Sequence, residues 1–445
     1  MTTTSVTFND LRINNAEQLK ESVSEPSSSN IYLTIGKTTP WANDNAPDAA
    51  NSSIATIYEV WDNMIGGKRL VGSDISHVVP RFNWQYGQTY PMYDHLNSQL
   101  TDGIQNFYVI NSNYDVYKCL SNNYSSPSTI EPTSVKPGTV TITTDNYHWK
   151  YMYSLSDVDL IKFTTDSYIP VRTLVNNDGS TQWQVQSQAK FGTIEVIEMI
   201  DGGNGYSNVA NIVVTVTGDG SGVIAVANVT NKPEKSNTID RITIINPGLN
   251  YTYANVSIRS ANGSGAIARA IISPPGGHGS DPLYELGGKN LMINVRLKGD
   301  EEQQLTSPVN DFRQIALIKD PKEAQGTNTM SASAFTQAYT LTLFGSGDYA
   351  EDELVYQGAN LNTSTFSGRV VSWDETQGTL KVINIKGTPT LVPLIGSIYS
   401  TSRTVTSIQT GSAAKNTGRI LYVDNIKPIT RSADQIEDFK ILIKF

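Results

Sequence analysis

Between Gly192 and Pro275 the sequence repeats itself, and a repeat of this kind leaves few folds open. IEMIDGGNGY (Ile197 to Tyr206) aligns with ITIINPGLNY (Ile242 to Tyr251), and GSGVIAVA (Gly220 to Ala227) aligns with GSGAIARA (Gly263 to Ala270). Each copy reads as strand, glycine turn, strand, Gly-Ser-Gly turn, strand, because short Val and Ile runs bounded by Gly, Asn and Asp favour extended segments joined by tight turns. Two such copies, with small residues in the last strand of each, predict paired and closely packed sheets. The Gly218-Asp219-Gly220-Ser221-Gly222 run is read as one of these turns. A phosphate loop would need Gly-Lys-Ser/Thr leading into a helix, and a calcium loop several more acidic ligands at fixed offsets.

Downstream of the repeat, the stretch from Leu291 to Pro321 separates two segments of unlike composition. Leu291, Ile293, Val295 and Leu297 alternate with Met292, Asn294 and Arg296, which predicts a half-buried strand of period two. A polar loop follows, and Phe312, Ile315, Leu317 and Ile318 give a second strand that Pro321 ends. After it, short strands with glycine turns recur between residues 341 and 410, the pattern of a small barrel or five-stranded sheet. The organisation expected is a β-sandwich-like parent domain that the chain leaves twice. Its parts are an N-terminal helix and linker (1–30), parent segments at 31–191, 276–340 and 411–445, and inserted modules at 192–275 and 341–410. The fold class is mainly β, with a few short helices.

The clearest helix is set by Ile54, Ile57, Tyr58, Trp61, Met64 and Ile65, spaced for one helical face, preceded by Ser52 and Ser53 and stopped by Gly66-Gly67. A short N-terminal helix is expected over residues 10–23, and a helical turn over 157–163. Residues 107–110 and 116–120 read as a hairpin, 147–155 as an aromatic strand, and the Trp and Tyr-rich run 74–93 as an ordered loop.

Charge narrows the functions. The 445-residue chain carries a net charge of −9, charged residues are 17%, and no run of Lys or Arg exceeds two, which argues against a phosphate-backbone footprint, and nucleic acid is not an expected partner. A neutral polar surface suits hydrogen-bonded protein contacts. Cys119 is the only cysteine, which rules out an intrachain disulfide and a cysteine zinc site. His77, His95, His148 and His278 show no ligand spacing. No serine stands in a nucleophile elbow, His278 is read as a loop residue, Cys119 as core, and the run Glu351, Asp352, Glu353 as a solvated loop. No catalytic, cofactor or metal residues are assigned, and no small-molecule substrate is expected. The N-terminus MTTTSVTFNDL lacks a charged region followed by an apolar core, and no stretch is apolar enough to insert in a membrane, so a cytoplasm-like compartment is expected.

Six blocks resemble one family. NIYLTIGKTTPW (Asn30 to Trp41), VVPRFNW (Val78 to Trp84), VYKCL (Val116 to Leu120), YHWKYMYSL (Tyr147 to Leu155), DFRQIALIKDPKEA (Asp311 to Ala324) and GRILYVDNIKPITRSADQIEDFKILIKF (Gly418 to Phe445) are similar to the baseplate wedge subunit of T4-like contractile-tailed phages known as gene product eight. The resemblance covers the parent segments and leaves out 192–275 and 341–410. It implies a non-enzymatic, mostly β homodimer that contacts other wedge subunits in the virion baseplate and is assembled in the host cytoplasm, repacking when the baseplate rearranges. Trp41, Trp61, Trp84, Trp149, Phe312, Ile315 and Phe445 are the candidates for structural or interface roles. A carbohydrate- or receptor-binding tail protein is the alternative.

Overall fold

The structure, a computed structural model, describes residues 8–25, 27, 29–97, 100–101, 104–207, 212–230, 237–298, 311–429 and 436–445. The chain is mainly β, with five short or medium α-helices among the described residues. It divides into two compact units, one made of Met1–Glu17, Ser76–Met292 and Leu442–Phe445, the other of Gln18–Ile75 and Ile293–Ile441.

The first unit holds an antiparallel sheet in the order Tyr108–Ile110, Asp115–Ser121, His148–Ser154, Val140–Ile142. Its period of two separates two cores. Val116, Leu120 and Met152 face one cluster with Ile110, Ile169 and Leu283, while Tyr117, Cys119, Trp149 and Tyr151 face another with Tyr90 and Val185. Helix Thr181–Gln188, which the sequence reading missed, covers this second face with Val185; its N-cap is Ser180, whose hydroxyl accepts from Trp183 N. Its apolar residues are too few to announce it by periodicity.

The repeated segment forms a sandwich within this unit. One sheet runs Ser221–Thr230, Thr238–Leu249, Val196–Asn204, Ser264–Ile271, and the other pairs Ile212–Gly218 with Ala254–Ser260. The copies exchange strands: the last strand of the first pairs with the first strand of the second, and the reverse. Register shifts fall at equivalent places, Ile224/Ala225 and Ile267/Ala268. The turns interlock as well. A Cβ on Gly263 would lie 2.3 Å from the Tyr206 ring, and one on Gly220 would lie 2.4 Å from the Tyr251 ring, so each copy's Gly-Ser-Gly turn closes over the other's tyrosine. The segment is entered and left side by side, with Ser273 N donating to Thr193 O at 2.9 Å.

The second unit is built on the antiparallel sheet Ala334–Thr336, Met64–Arg69, Ile31–Gly36, Phe312–Lys319, Arg419–Ile429. Helix Ile54–Asn63, capped by the Ser53 hydroxyl on Thr56 N, lays Val60 and Trp61 on Tyr32, Ala316 and Ile318. The helix stops earlier than its periodicity suggests. Met64 and Ile65 belong to the following strand, and Gly66-Gly67 lie inside that strand, where Gly67 makes room for the Phe335 ring, 2.6 Å from where a Cβ would sit. Residues 339–409 close into a six-stranded barrel, in the order Tyr339–Phe344, Thr379–Gly387, Phe366–Asp374, Leu354–Gln357, Pro393–Gly396, Ser402–Gln409. Leu341, Val355, Phe366, Val370, Leu380 and Leu394 fill its interior. Its two ends also meet, with Ser412 N donating to Thr336 O at 2.8 Å.

Strand Asn290–Lys298 departs from the half-buried expectation. Met292 and Asn294 are as buried as Leu291 and Ile293, Met292 packing with Val78 and Phe163. The polar loop expected after it, over 299–310, lies outside the described residues.

Candidate functional site

Four charged side chains meet in the interior of the first unit. Lys118 and Lys150 are cross-strand partners. Lys118 Nζ contacts Glu285, at the end of the short helix Pro282–Glu285, and Lys150 Nζ lies 3.0 Å from Glu195. The Lys118 side chain has 0% exposure and that of Glu285 3%. Burial pushes Lys118 down from its usual lysine value, while the Glu285 and Glu195 carboxylates act against that fall. Glu285 also accepts from Gly279 N at 2.7 Å and Asp281 N at 3.2 Å, so its lone pairs are used within the fold. Lys118 lies over the Tyr93 ring, which meets His278 edge-on. Burial, with Lys118 and Lys150 nearby, holds His278 well below the ordinary histidine value. Opposite charges are balanced here and the Lys118–Glu285 contact is closed to solvent, which ties Glu285 to a strand 167 residues away.

A second set of polar contacts straps residues 37–50 to the sheet of the second unit. Arg313, on strand Phe312–Lys319, holds the Asp44 carboxylate with two bonds of 3.0 Å, reaches Asp311 at 3.3 Å and donates to Thr38 O. The Arg313 hydrogen bond holds Asp44 below the usual carboxylate range. Trp41 donates its indole N–H to Ile426 O at 3.1 Å under the Lys37 ammonium. Asn425 donates to Asp48 O at 2.9 Å.

The residues singled out from the sequence do not converge on one place. Trp61 is buried under helix Ile54–Asn63, and Phe312 and Ile315 are buried on one strand, Phe312 with its ring centroid 5.7 Å from that of Phe439. Trp149 stacks on Tyr147 at 5.4 Å and packs near Trp84. Trp84 is half-buried and donates to Ser128 Oγ at 3.1 Å; Trp41 and Phe445 are also half-buried. His278 sits in a loop and Cys119 is core, where burial pushes its thiol up. The run Glu351, Asp352, Glu353 is not uniformly solvated as expected. Glu353 is 1% exposed and staples the barrel by accepting from Ala350 N at 2.9 Å and Ile398 N at 2.6 Å.

Two surface features remain. Ile200 and Ile245, and Ile224 and Ile267, stand at matching places in the two repeats and are all more than half exposed. Beside this sheet the first unit has a cleft of about 320 Å³, lined by segments 91–97, 121–125 and 146–148 and by strands of the repeat. No group of three or more His, Cys, Asp or Glu placed to hold a metal is found among the described residues, and no helix among them is long and apolar enough to cross a membrane.

Residues 4–131 match the family model described as Phage-Gp8: Bacteriophage T4, Gp8. No curated protein matches the chain. The match contains the first three of the six blocks that carry the resemblance, through VYKCL, and bears out the kinship with the T4-like baseplate wedge subunit over that stretch. The family is one of structural baseplate proteins of the phage tail, and the match takes in 128 of the 445 residues.

Proposed function

We propose that the chain is a non-enzymatic wedge subunit of a contractile-tail baseplate, one that assembles in the host cytoplasm as a homodimer and holds neighbouring wedge subunits together. The observation that carries this reading is the family match over residues 4–131, which takes in strand Ile31–Gly36, the 37–50 strap and helix Ile54–Asn63. The Lys118–Glu285 and Lys150–Glu195 pairs, each charge met by its opposite, support a structural role over catalysis for that buried cluster. When the baseplate changes shape, the polar contacts of the subunit exchange partners while its cores persist.

Residues 192–275 and 341–410 are proposed as insertions in a parent domain. The adjacency of Thr193 with Ser273 and of Thr336 with Ser412 supports this, since a segment whose ends already touch can be added without moving its host. The repeat's exposed isoleucines are candidate contacts with other subunits.

Co-expression with the other wedge proteins of the same baseplate tests the proposal. A stable complex is expected on size exclusion, and light scattering on the isolated chain should give the mass of two copies at micromolar concentration. A chain that stays monomeric and joins no wedge protein refutes it.

A further inference from the structure

The cleft beside the repeat is held open by its own rim. Arg269 grips Asp94 with bonds of 2.8 and 2.9 Å and Glu198 with one of 2.6 Å; Arg241 donates to Asn146 Oδ1 at 2.7 Å; the Tyr124 hydroxyl donates to Asp240 O. These contacts span from loops 91–97, 121–125 and 146–148 to three strands of the repeat sheet, and a space of about 320 Å³ lies among them. That volume is at the small end of the roughly 300–1,000 Å³ typical of ligand sites. Hydrogen-bonded walls keep the space from collapsing, so an occupant need not organise them.

The lining selects by chemistry. Pro91 and Met92 are half-buried apolar residues on the loop side, while Ile197, Met199 and Ile242 border the cleft from the strands but pack their side chains in the sandwich core. Asn122, Asn123, Asn146, His148 and Asp240 supply planar amides, an imidazole and a carboxylate, and Tyr124 adds a ring that is 53% exposed. Among the described residues, neither the Asp240 carboxylate nor the His148 ring takes part in a hydrogen bond. Both arginines are engaged, one by carboxylates and one by an amide, while Asp94, Glu198 and Asp240 outnumber them. A phosphate or sulfate would meet no free guanidinium and a net negative wall. Burial and Arg241 hold His148 down to about 4, so its imidazole is uncharged at neutral pH.

We propose that this cleft binds a neutral saccharide of one or two pyranose rings. A pyranose has an apolar C–H face bordered by hydroxyls, and the cleft matches it with Pro91 and Met92 edged by amides and a carboxylate. The Tyr124 ring offers a stacking surface, and Asp240 and Asn146 suit vicinal hydroxyls, which present donor and acceptor together.

The full chain is screened on an array of neutral hexose and N-acetylhexosamine oligosaccharides, and the strongest binder is titrated by calorimetry, with a sulfated glycan and inorganic phosphate as anionic probes. At least one neutral saccharide is expected to bind with a millimolar or tighter Kd. Tyr124→Ala and Asp240→Asn should each weaken it about tenfold or more, Tyr124→Phe should retain it, and Leu391→Ser, on the barrel surface, should leave it unchanged. Melting curves establish that each variant folds. The proposal is overturned if no neutral saccharide binds, if Tyr124→Ala and Asp240→Asn in folded form leave binding unchanged, or if only the anionic probes bind.

Discussion

Replacing Lys118 by methionine tests how the first unit holds its charges. Lys118 is closed to solvent, so the change removes the positive partner of a carboxylate that is itself 3% exposed, leaving Glu285 with two backbone N–H donors and no cation in contact. Breaking a buried pair from one side costs about 3–5 kcal/mol, because the remaining charge stays desolvated and uncompensated. The two N–H bonds and the neighbouring Lys150 soften this, which places the expected loss near the lower end, about 3 kcal/mol. The partner change Glu285→Gln keeps an acceptor for Gly279 N while removing the negative charge. In the double variant no unpaired charge remains at this contact, and an amide beside a methionine costs little, so most of the single-variant loss should return. The assay is urea unfolding followed by near-ultraviolet circular dichroism, with a double-mutant cycle giving the coupling. A coupling of about 2 kcal/mol or more is expected. If Lys118→Met costs under about 1 kcal/mol and the double variant recovers nothing, the pair behaves as a solvated one and the reasoning fails.

Acid should weaken the first unit before its carboxylates titrate. His148 is held down to about 4 against an ordinary 6.5, and His278 lies well below, so unfolded chains take up protons from pH 6.5 downward while the folded unit does not. Stability is full above 6.5 and should fall by roughly 1.4 kcal/mol per pH unit down to about 4 on account of His148, with the depressed His278 adding in the same direction, a slope in the urea midpoint that His148→Asn reduces. In the repeat, Gly263→Ala puts a methyl against the Tyr206 ring and should cost about 1–3 kcal/mol in calorimetric melting, as should Gly220→Ala against Tyr251, since each turn closes over the other copy's tyrosine. Excising residues 339–409 and joining the ends with a short Gly-Ser linker should leave the rest folded, by circular dichroism and limited proteolysis, because Thr336 and Ser412 are already hydrogen-bonded. Collapse of the remainder would show that the barrel is part of its host's core.

Local signals carried most of the elements. The Val-Ile runs and glycine turns of the repeat, and Ser53 ahead of Ile54, each act within a few residues, and these are the interactions a linear reading can weigh. What escaped depends on distant segments meeting. Helix Ile54–Asn63 ends at Asn63 because the next residues are claimed by pairing with Ile31–Gly36, a tertiary demand that overrides the continuing helical spacing of Met64 and Ile65. Glu353 looks solvated beside two other acids, yet Ile398 N, 45 residues on, draws it inside. One sign of the buried charges was present in VYKCL. Lys118 shares its strand face with Val116 and Leu120, and a lysine at a core-facing position calls for a buried acid somewhere in the chain. Nothing local names Glu285 as that acid.

Strand exchange explains why the repeat can be carried as one piece. Were each copy a self-contained sheet, the two would meet only across a face and could part under load. Here the strand Ser221–Thr230 of the first copy pairs with Thr238–Leu249 of the second, and Val196–Asn204 with Ser264–Ile271, so neither copy completes its sheet without the other. Separating them would break these ladders and the pairing of Ile212–Gly218 with Ala254–Ser260, and uncover Ile197, Ile239 and Ile242 together, which makes the module unfold as a unit. The barrel reaches the same end by closure, leaving no free edge between its first and last strands. Each segment therefore completes its own hydrogen bonding and its own core, and the residues that flank each are bonded to one another, Thr193 with Ser273 and Thr336 with Ser412. A chain built this way can vary such modules while the segment 4–131, which matches the family model, keeps its fold.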